Sequence, residues 1–118
     1  MAFGRPPLFK GTIANGATQY VGVPIHDGKL GLHIGWKDAT SSATITIEMT
    51  SFSADDAPVA TAGSAWVWKD SGLSITGPAA SAAGATLVNV ENVRSLRARL
   101  KIVAAANCDF EIYDGAAA

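Results

Sequence analysis

Residues 29–37, Lys-Leu-Gly-Leu-His-Ile-Gly-Trp-Lys, alternate strictly between large apolar residues and polar or glycine residues. In an extended chain, side chains two residues apart lie on the same face. The leucine, isoleucine and tryptophan side chains at positions 30, 32, 34 and 36 would therefore share one face. This period of two predicts a half-buried β-strand.

A second alternating stretch follows at residues 43–51, Ala-Thr-Ile-Thr-Ile-Glu-Met-Thr-Ser, and it is rich in the β-branched residues that strands favour. Only the short polar segment 38–42 separates the two stretches. We therefore expect them to form an antiparallel hairpin.

The last two strands are predicted at residues 96–102 and 108–112, where apolar residues again alternate with charged ones. We expect a hairpin that places Lys101 opposite Asp109, Arg99 opposite Glu111 and Arg97 opposite Tyr113. Opposite charges facing each other across an antiparallel pair contribute about 0.2–1 kcal/mol each. In this register the basic stripe Arg97, Arg99 and Lys101 is neutralised, which favours a solvated or subunit-facing surface over a nucleic-acid surface.

Further short extended stretches at residues 20–25, 65–69, 73–75 and 86–90 complete the pattern, and no segment sustains a helical period. The sequence therefore predicts an all-β fold, an antiparallel β-sandwich of about seven to eight short strands, with the jelly roll among its forms. We expect one sandwich domain over residues 17–118, preceded by an extended N-terminal arm over residues 1–16. The arm carries three apolar candidates for contact with a neighbouring subunit, and we expect them to pack there and not against their own core: Phe3, Leu8 and Phe9.

The composition suits a subunit of an assembly better than a freely exposed protein. Of the 118 residues, 48% are hydrophobic and only 16% are charged, against about 25% charged in an average soluble domain. A surface so poor in charge is often partly covered by a neighbouring subunit. The net charge of −1 predicts no nucleic-acid or membrane partner. No export signal or membrane-spanning stretch is evident, so we expect synthesis in the cytoplasm.

Residues that carry chemistry are few, and we expect no enzymatic activity, no cofactor and no catalytic or metal site. Cys108 is the only cysteine, so it can form no intramolecular disulfide, and its phase places it in the core. His26 and His33 lack further ligands at metal-binding spacing. Four loop carboxylates could gather round a calcium ion, but they do not follow an EF-hand spacing: Asp38, Asp55, Asp56 and Asp70.

Trp66 and Trp68 fall on one face of the predicted strand at residues 65–69. Two interpretations are open. The rings could form an exposed aromatic platform that stacks on sugars, or they could help to fill the core of the sandwich. We favour the core position.

Five segments follow one another along the chain: Leu-Gly-Leu-His-Ile-Gly-Trp (30–36), Ala-Thr-Ile-Thr-Ile-Glu (43–48), Ala-Trp-Val-Trp (65–68), Thr-Leu-Val-Asn-Val (86–90) and Val-Arg-Ser-Leu-Arg (93–97). This order, followed by a closing strand, resembles that of small virion structural proteins of tailed bacteriophages. The resemblance implies a β-sandwich that self-assembles, as a homotrimer or larger, and that contacts other virion proteins such as the major capsid protein.

Within the particle, the resemblance implies a place as a capsid decoration or cement protein, or as a neck or tail component. It brings no catalytic residues. The alternative function is a carbohydrate-binding module that uses Trp66 and Trp68.

Overall fold

The computed structural model describes residues 6–37, 43–60, 66–76 and 83–115. Within these ranges the chain forms eight β-strands and no helix, which confirms the predicted all-β fold. The strands are β1 (Phe9–Ile13), β2 (Thr18–Val23), β3 (Leu30–Trp36), β4 (Ala43–Thr50), β5 (Lys69–Thr76), β6 (Gly84–Val90), β7 (Arg97–Ala104) and β8 (Cys108–Asp114).

The strands form two antiparallel four-stranded sheets, sheet I in the order β1-β8-β3-β6 and sheet II in the order β2-β7-β4-β5. The pairing is nested: β1 pairs with β8, β2 with β7, β3 with β6 and β4 with β5. The nested pairs correspond to one long hairpin, with β1–β4 as one arm and β5–β8 as the other. The hairpin is rolled up so that successive pairs lie alternately in sheet I and sheet II. The β-sandwich is therefore a jelly roll.

The core lies between the two sheets and follows the alternation of the sequence. Ile34 and Phe110 of sheet I and Ile45 and Leu100 of sheet II are completely buried. Cys108 is also buried, as predicted. Leu96 departs from the predicted inward set: it precedes β7 and is 69% exposed.

Both predicted hairpins are wrong, although the positions of their strands are correct. β3 and β4 lie in different sheets, and so do β7 and β8. Each connection crosses from one sheet to the other, because in a jelly roll only β4 and β5 are neighbours both in sequence and in a sheet. Arg99 therefore lies opposite Glu48 and not opposite Glu111.

The first strand corrects the prediction for the N-terminal arm. Phe9–Ile13 pairs with β8, and the Leu8 amide donates to the Ile112 carbonyl at 2.7 Å. Leu8 and Phe9 pack against the domain's own core, so the expectation that they avoid it for a neighbouring subunit is wrong. Phe3 lies outside the described residues.

A tight two-residue turn precedes β3. At Asp27-Gly28 both residues have positive φ, and His26 and Lys29 exchange two backbone hydrogen bonds of 2.8 and 2.9 Å. This two-residue turn matches the right-handed twist of the chain on either side of it. The Gly28 carbonyl also accepts from the Val93 amide at 2.8 Å, which ties the turn to the segment before β7.

Candidate functional site

One side of the sandwich, which we call the open side, is formed by the two edge strands β5 and β6. β5 ends sheet II and β6 ends sheet I, and between them lies a groove of about 460 Å³. The side chain of Ile47, fully buried, forms its floor. The groove is lined by Ile47, Leu73, Ser74, Ile75, Thr86, Leu87, Val88, Asn89 and Val90.

The open side differs from the rest of the surface in its chemistry. None of the residues that line the groove carries a charge. Leu87 is 69% exposed and Leu73 is 40% exposed. The lining combines apolar side chains with the polar residues Ser74, Thr86 and Asn89, so the groove is uncharged but not purely apolar. Depletion of charged residues is a feature of the central part of protein–protein interfaces.

The two edge strands of the open side differ in regularity. In β5, two extra residues are inserted opposite β4 between the pairs Thr46–Ser74 and Glu48–Asp70. Gly72 adopts a φ of 82° there, and the Ser71 hydroxyl donates to the Ile47 carbonyl at 2.7 Å. This bulge twists the edge of β5 and discourages another strand from pairing with it.

By contrast, β6 pairs with β3 residue by residue, from Leu30–Val90 to Trp36–Gly84, without a bulge. Its sequence, Gly-Ala-Thr-Leu-Val-Asn-Val, contains no charge and no proline. Natural edge strands are usually protected by lysine, proline, a bulge or a covering segment. Among the described residues, β6 has none of these protections on its outer edge.

On the outer face of sheet II, the loop between β4 and β5 folds back over the sheet and covers Arg99. The Arg99 guanidinium donates to Glu48 and to the Val59 carbonyl, each at 2.8 Å. It lies between two aromatic rings, 4.0 Å from the centroid of Tyr20 and 4.2 Å from that of Trp68. We call this arrangement the arginine clamp, and it fixes the loop to the sheet.

The arginine clamp decides the roles of the two tryptophans. Trp68 is 3% exposed because it packs on Arg99, outside the main core, whereas Trp66 is 74% exposed. Both residues precede β5 in a turn. The two rings therefore share neither an exposed platform nor the core of the sandwich. Trp66 instead contacts Phe52 edge to face, with ring centroids 5.5 Å apart.

The basic stripe of β7 is not paired as predicted. Arg97 donates to the Ala57 carbonyl at 2.6 Å and lies 5.3 Å from the Trp68 ring, so it also holds the loop. Asp109 and Glu111, which were expected to neutralise the stripe, lie in sheet I. The guanidinium groups of Arg97 and Arg99 thus make these contacts within the domain.

The outer face of sheet I carries a shallow cleft of about 330 Å³, lined by His33, Gly35, Glu111 and Tyr113. Glu111 accepts from Lys37 at 2.7 Å and from the Tyr113 hydroxyl at 2.9 Å. These hydrogen bonds hold the pKa of Glu111 below its usual value, and they raise the pKa of Lys37 and of Tyr113. The two carboxylate oxygens of Glu111 are therefore occupied by different partners, one by Lys37 and the other by Tyr113.

The remaining polar candidates are scattered. His26 contacts Asp114 at 2.6 Å, and the Asp70 carboxylate accepts from the Gly72 amide at 2.8 Å. Asp55 and Asp56 are exposed, and Asp38 lies outside the described residues. Across the part of the chain that the structure describes, no three histidine, cysteine or acidic side chains are grouped to hold a metal ion.

Comparison with known proteins does not assign the chain to a family. No family model matches the chain, and no curated protein matches its sequence. In the described ranges there is no helix with the length and apolar character needed to cross a membrane.

The open side was not predicted from the sequence, although a signal for it exists. Residues 84–90 form an uncharged, proline-free strand, which is unusual for the edge of a sheet. That signal becomes informative only when the topology shows that β6 is an edge. In the sequence alone, the same residues fit a central strand equally well.

Proposed function

We propose that this protein is a non-enzymatic structural subunit of a tailed-phage virion, a decoration or cement protein that stabilises the capsid through contacts between subunits. The observation that carries the proposal is the open side, an uncharged groove with an exposed leucine beside an unprotected strand edge. The resemblance of its segments to small virion proteins provides the biological setting. The jelly roll occurs in viral capsid proteins, but it also occurs in unrelated lectins and cupins.

The energetics of such a subunit favour assembly through the open side. Burial of apolar surface stabilises an interface by about 25 cal/mol per Å² before the costs of association are subtracted. A groove without charged residues adds no desolvation penalty for buried ions. The low charge of the whole chain, 16%, is consistent with a protein that works inside a larger assembly.

The test is binding to particles. Purified protein is mixed with capsids of the parent phage that lack it, and the mixture is sedimented and heated. The proposal expects saturable binding and a higher temperature of capsid rupture. Protein that stays in the supernatant at saturating concentration, and leaves the rupture temperature unchanged, would contradict the proposed function.

Leu87→Lys tests whether the open side makes these contacts, and Leu96→Lys is its matched control. Both leucines are 69% exposed, but only Leu87 lines the groove. We expect Leu87→Lys to weaken particle binding or assembly and Leu96→Lys to leave them close to wild type. Equal behaviour of the two variants would remove the open side from the proposal.

A second candidate function is binding of carbohydrate, favoured by the exposed ring of Trp66 and its edge contact with Phe52. Trp68 cannot take part, because it is buried in the arginine clamp. A glycan array followed by fluorescence titration tests this candidate. Binding that is lost in Trp66→Ala and kept in Trp66→Phe would support an aromatic stacking site, and an array without binding would reject it.

A further inference from the structure

We propose that two copies of this chain pair through their β6 strands, antiparallel and around a two-fold axis at Leu87, so that the two copies of sheet I become one eight-stranded sheet. The inference rests on the proposed function in one respect, because both assign assembly contacts to the open side. It adds the partner, the strand and the register.

The outer edge of β6 has the hydrogen-bonding capacity to accept another strand. One side of the strand pairs with β3 over seven consecutive residues. The backbone N–H and C=O groups on its other side face outward at the end of sheet I. A straight edge of this kind is a template for another strand. The bulged edge of β5 is a poor template, so the geometry selects β6.

β6 is also complementary to a second copy of itself. An antiparallel pair centred on Leu87 places this side chain opposite the partner's Leu87, and it places Thr86 opposite the partner's Val88. No charged residue of β6 meets a like charge, because the strand has none. The contact is isologous and closes after two copies, as most soluble homo-oligomers do.

The absence of charge along the groove favours a second copy over a charged foreign partner. The chain has nine basic and ten acidic residues, yet none of them lines the groove. A charged partner would bury unpaired charge against this surface, which is costly. A second copy brings an identical uncharged strand, and Leu87, exposed in one copy, becomes covered in two.

Sedimentation velocity tests the pairing on the full-length protein without any capsid. Wild type and Leu96→Lys are expected to sediment with even-numbered stoichiometry, as dimers or multiples of dimers. Leu87→Lys places two ammonium groups opposite each other and is expected to raise the dissociation constant of the pair by about tenfold or more. Wild-type protein that is monomeric at high concentration would overturn the proposal, and so would a Leu87→Lys variant that associates like Leu96→Lys.

Cross-linking tests the register. The native Cys108 is fully buried, so a single introduced cysteine can be modified selectively. Directly opposite residues in a strand pair have Cβ atoms about 4.5–5.5 Å apart. A short bis-maleimide is therefore expected to cross-link Leu87→Cys into dimers and to leave Leu96→Cys monomeric. Cross-linking of Leu96→Cys alone would overturn the β6 pairing.

The two proposals can fail separately. Protein that dimerises through Leu87 but never binds capsids would keep the β6 pairing and reject the virion function. Protein that binds capsids equally well with Leu87→Lys and shows no dimer would keep the virion function and reject the β6 pairing.

Discussion

At the scale of single residues, Arg99 shows how a charge can be buried on the outside of a sandwich. The residue is 0% exposed, although its side chain points away from the main core. Glu48 balances its charge, Val59 accepts a hydrogen bond, and the rings of Tyr20 and Trp68 cover both faces of the guanidinium. Arginine is suited to this position because its planar fork can stack and donate at the same time.

We predict that Arg99→Ala lowers the free energy of unfolding by about 3 kcal/mol, because it leaves Glu48 without its buried partner. Arg99→Lys keeps the charge but not the planar fork, and a loss of about 1–2 kcal/mol is expected. Arg94→Ala, at an exposed arginine, is the control and should stay within about 0.5 kcal/mol of wild type. Urea denaturation measures all three, and an Arg99→Ala variant as stable as Arg94→Ala would refute the clamp.

We predict that Glu111 stabilises the fold only within a pH window. Its pKa is lowered in the folded state, so its contribution is present at neutral pH and is lost as the pH falls through that lowered pKa. The pKa values of Lys37 and Tyr113 are raised in the folded state, so their contribution is complete below their usual pKa values and is lost as the pH rises through the raised pKa values. The difference in melting temperature between wild type and Glu111→Gln should therefore be largest near neutral pH and shrink at both extremes.

Tyr113→Phe provides the comparison for this pH profile. It removes one donor to Glu111 but leaves the contact with Lys37. At acid pH, we expect the melting temperature of Tyr113→Phe to change with pH less steeply than that of wild type and more steeply than that of Glu111→Gln. Profiles that run parallel for all three proteins would contradict a stabilising role for the ion pair.

At the scale of elements, the sequence located most strands but not all of their details. Alternation identified β3, β4, β6, β7 and β8, because each has one face in the core and one face outside. β5 was divided wrongly: residues 65–69 and 73–75 were predicted as two separate stretches, and the structure places Asp70-Ser-Gly72 between them inside one strand, as a bulge. The same residue types favour turns and bulges, since both use a glycine with positive φ.

We predict that Gly72→Ala costs about 1 kcal/mol of stability. No atom lies within 4 Å of the position where its Cβ would be, so the cost comes from the φ of 82° and not from a clash. Gly35→Ala is the matched control in a strand: its φ is not positive, and its Cβ would meet only the Glu111 carbonyl at 3.9 Å. Thermal unfolding should show a lower melting temperature for Gly72→Ala alone, and equal losses for the two variants would contradict this explanation.

At the scale of the whole molecule, the sequence predicted the sandwich but not the partners of its strands. The charge match of Arg99 and Lys101 with Glu111 and Asp109 favoured a hairpin that does not form. Arg99 instead faces Glu48, 51 residues away. Periodicity specifies which face of a strand is buried, whereas the choice between local and distant partners depends on how both sheets close around one core. The open side follows from this topology and was therefore beyond the reach of the sequence pattern.

We predict that the N-terminal segment is part of the domain, and two deletions measure its contribution. A protein that lacks residues 1–13 should be less stable than one that lacks residues 1–7 by about 3–5 kcal/mol, because it also loses the burial of Phe9 and Ile13. This is a large share of the roughly 5–15 kcal/mol that stabilises a typical domain. Chemical denaturation compares the two, and equal midpoints would show that β1 is dispensable.

The pairing of Phe9 with Ile112 also affects how the protein is made. A ribosome adds about 5–20 residues per second, so β1 waits for about 5–20 seconds before β8 leaves the exit tunnel. During this interval sheet I lacks the strand that joins β1 to β3. Ribosomes that follow one another on a single messenger RNA hold several chains in this unfinished state side by side. The β8 of the leading chain emerges first and can pair with the β1 of a chain behind it. We therefore expect strand exchange between nascent chains to compete with correct closure.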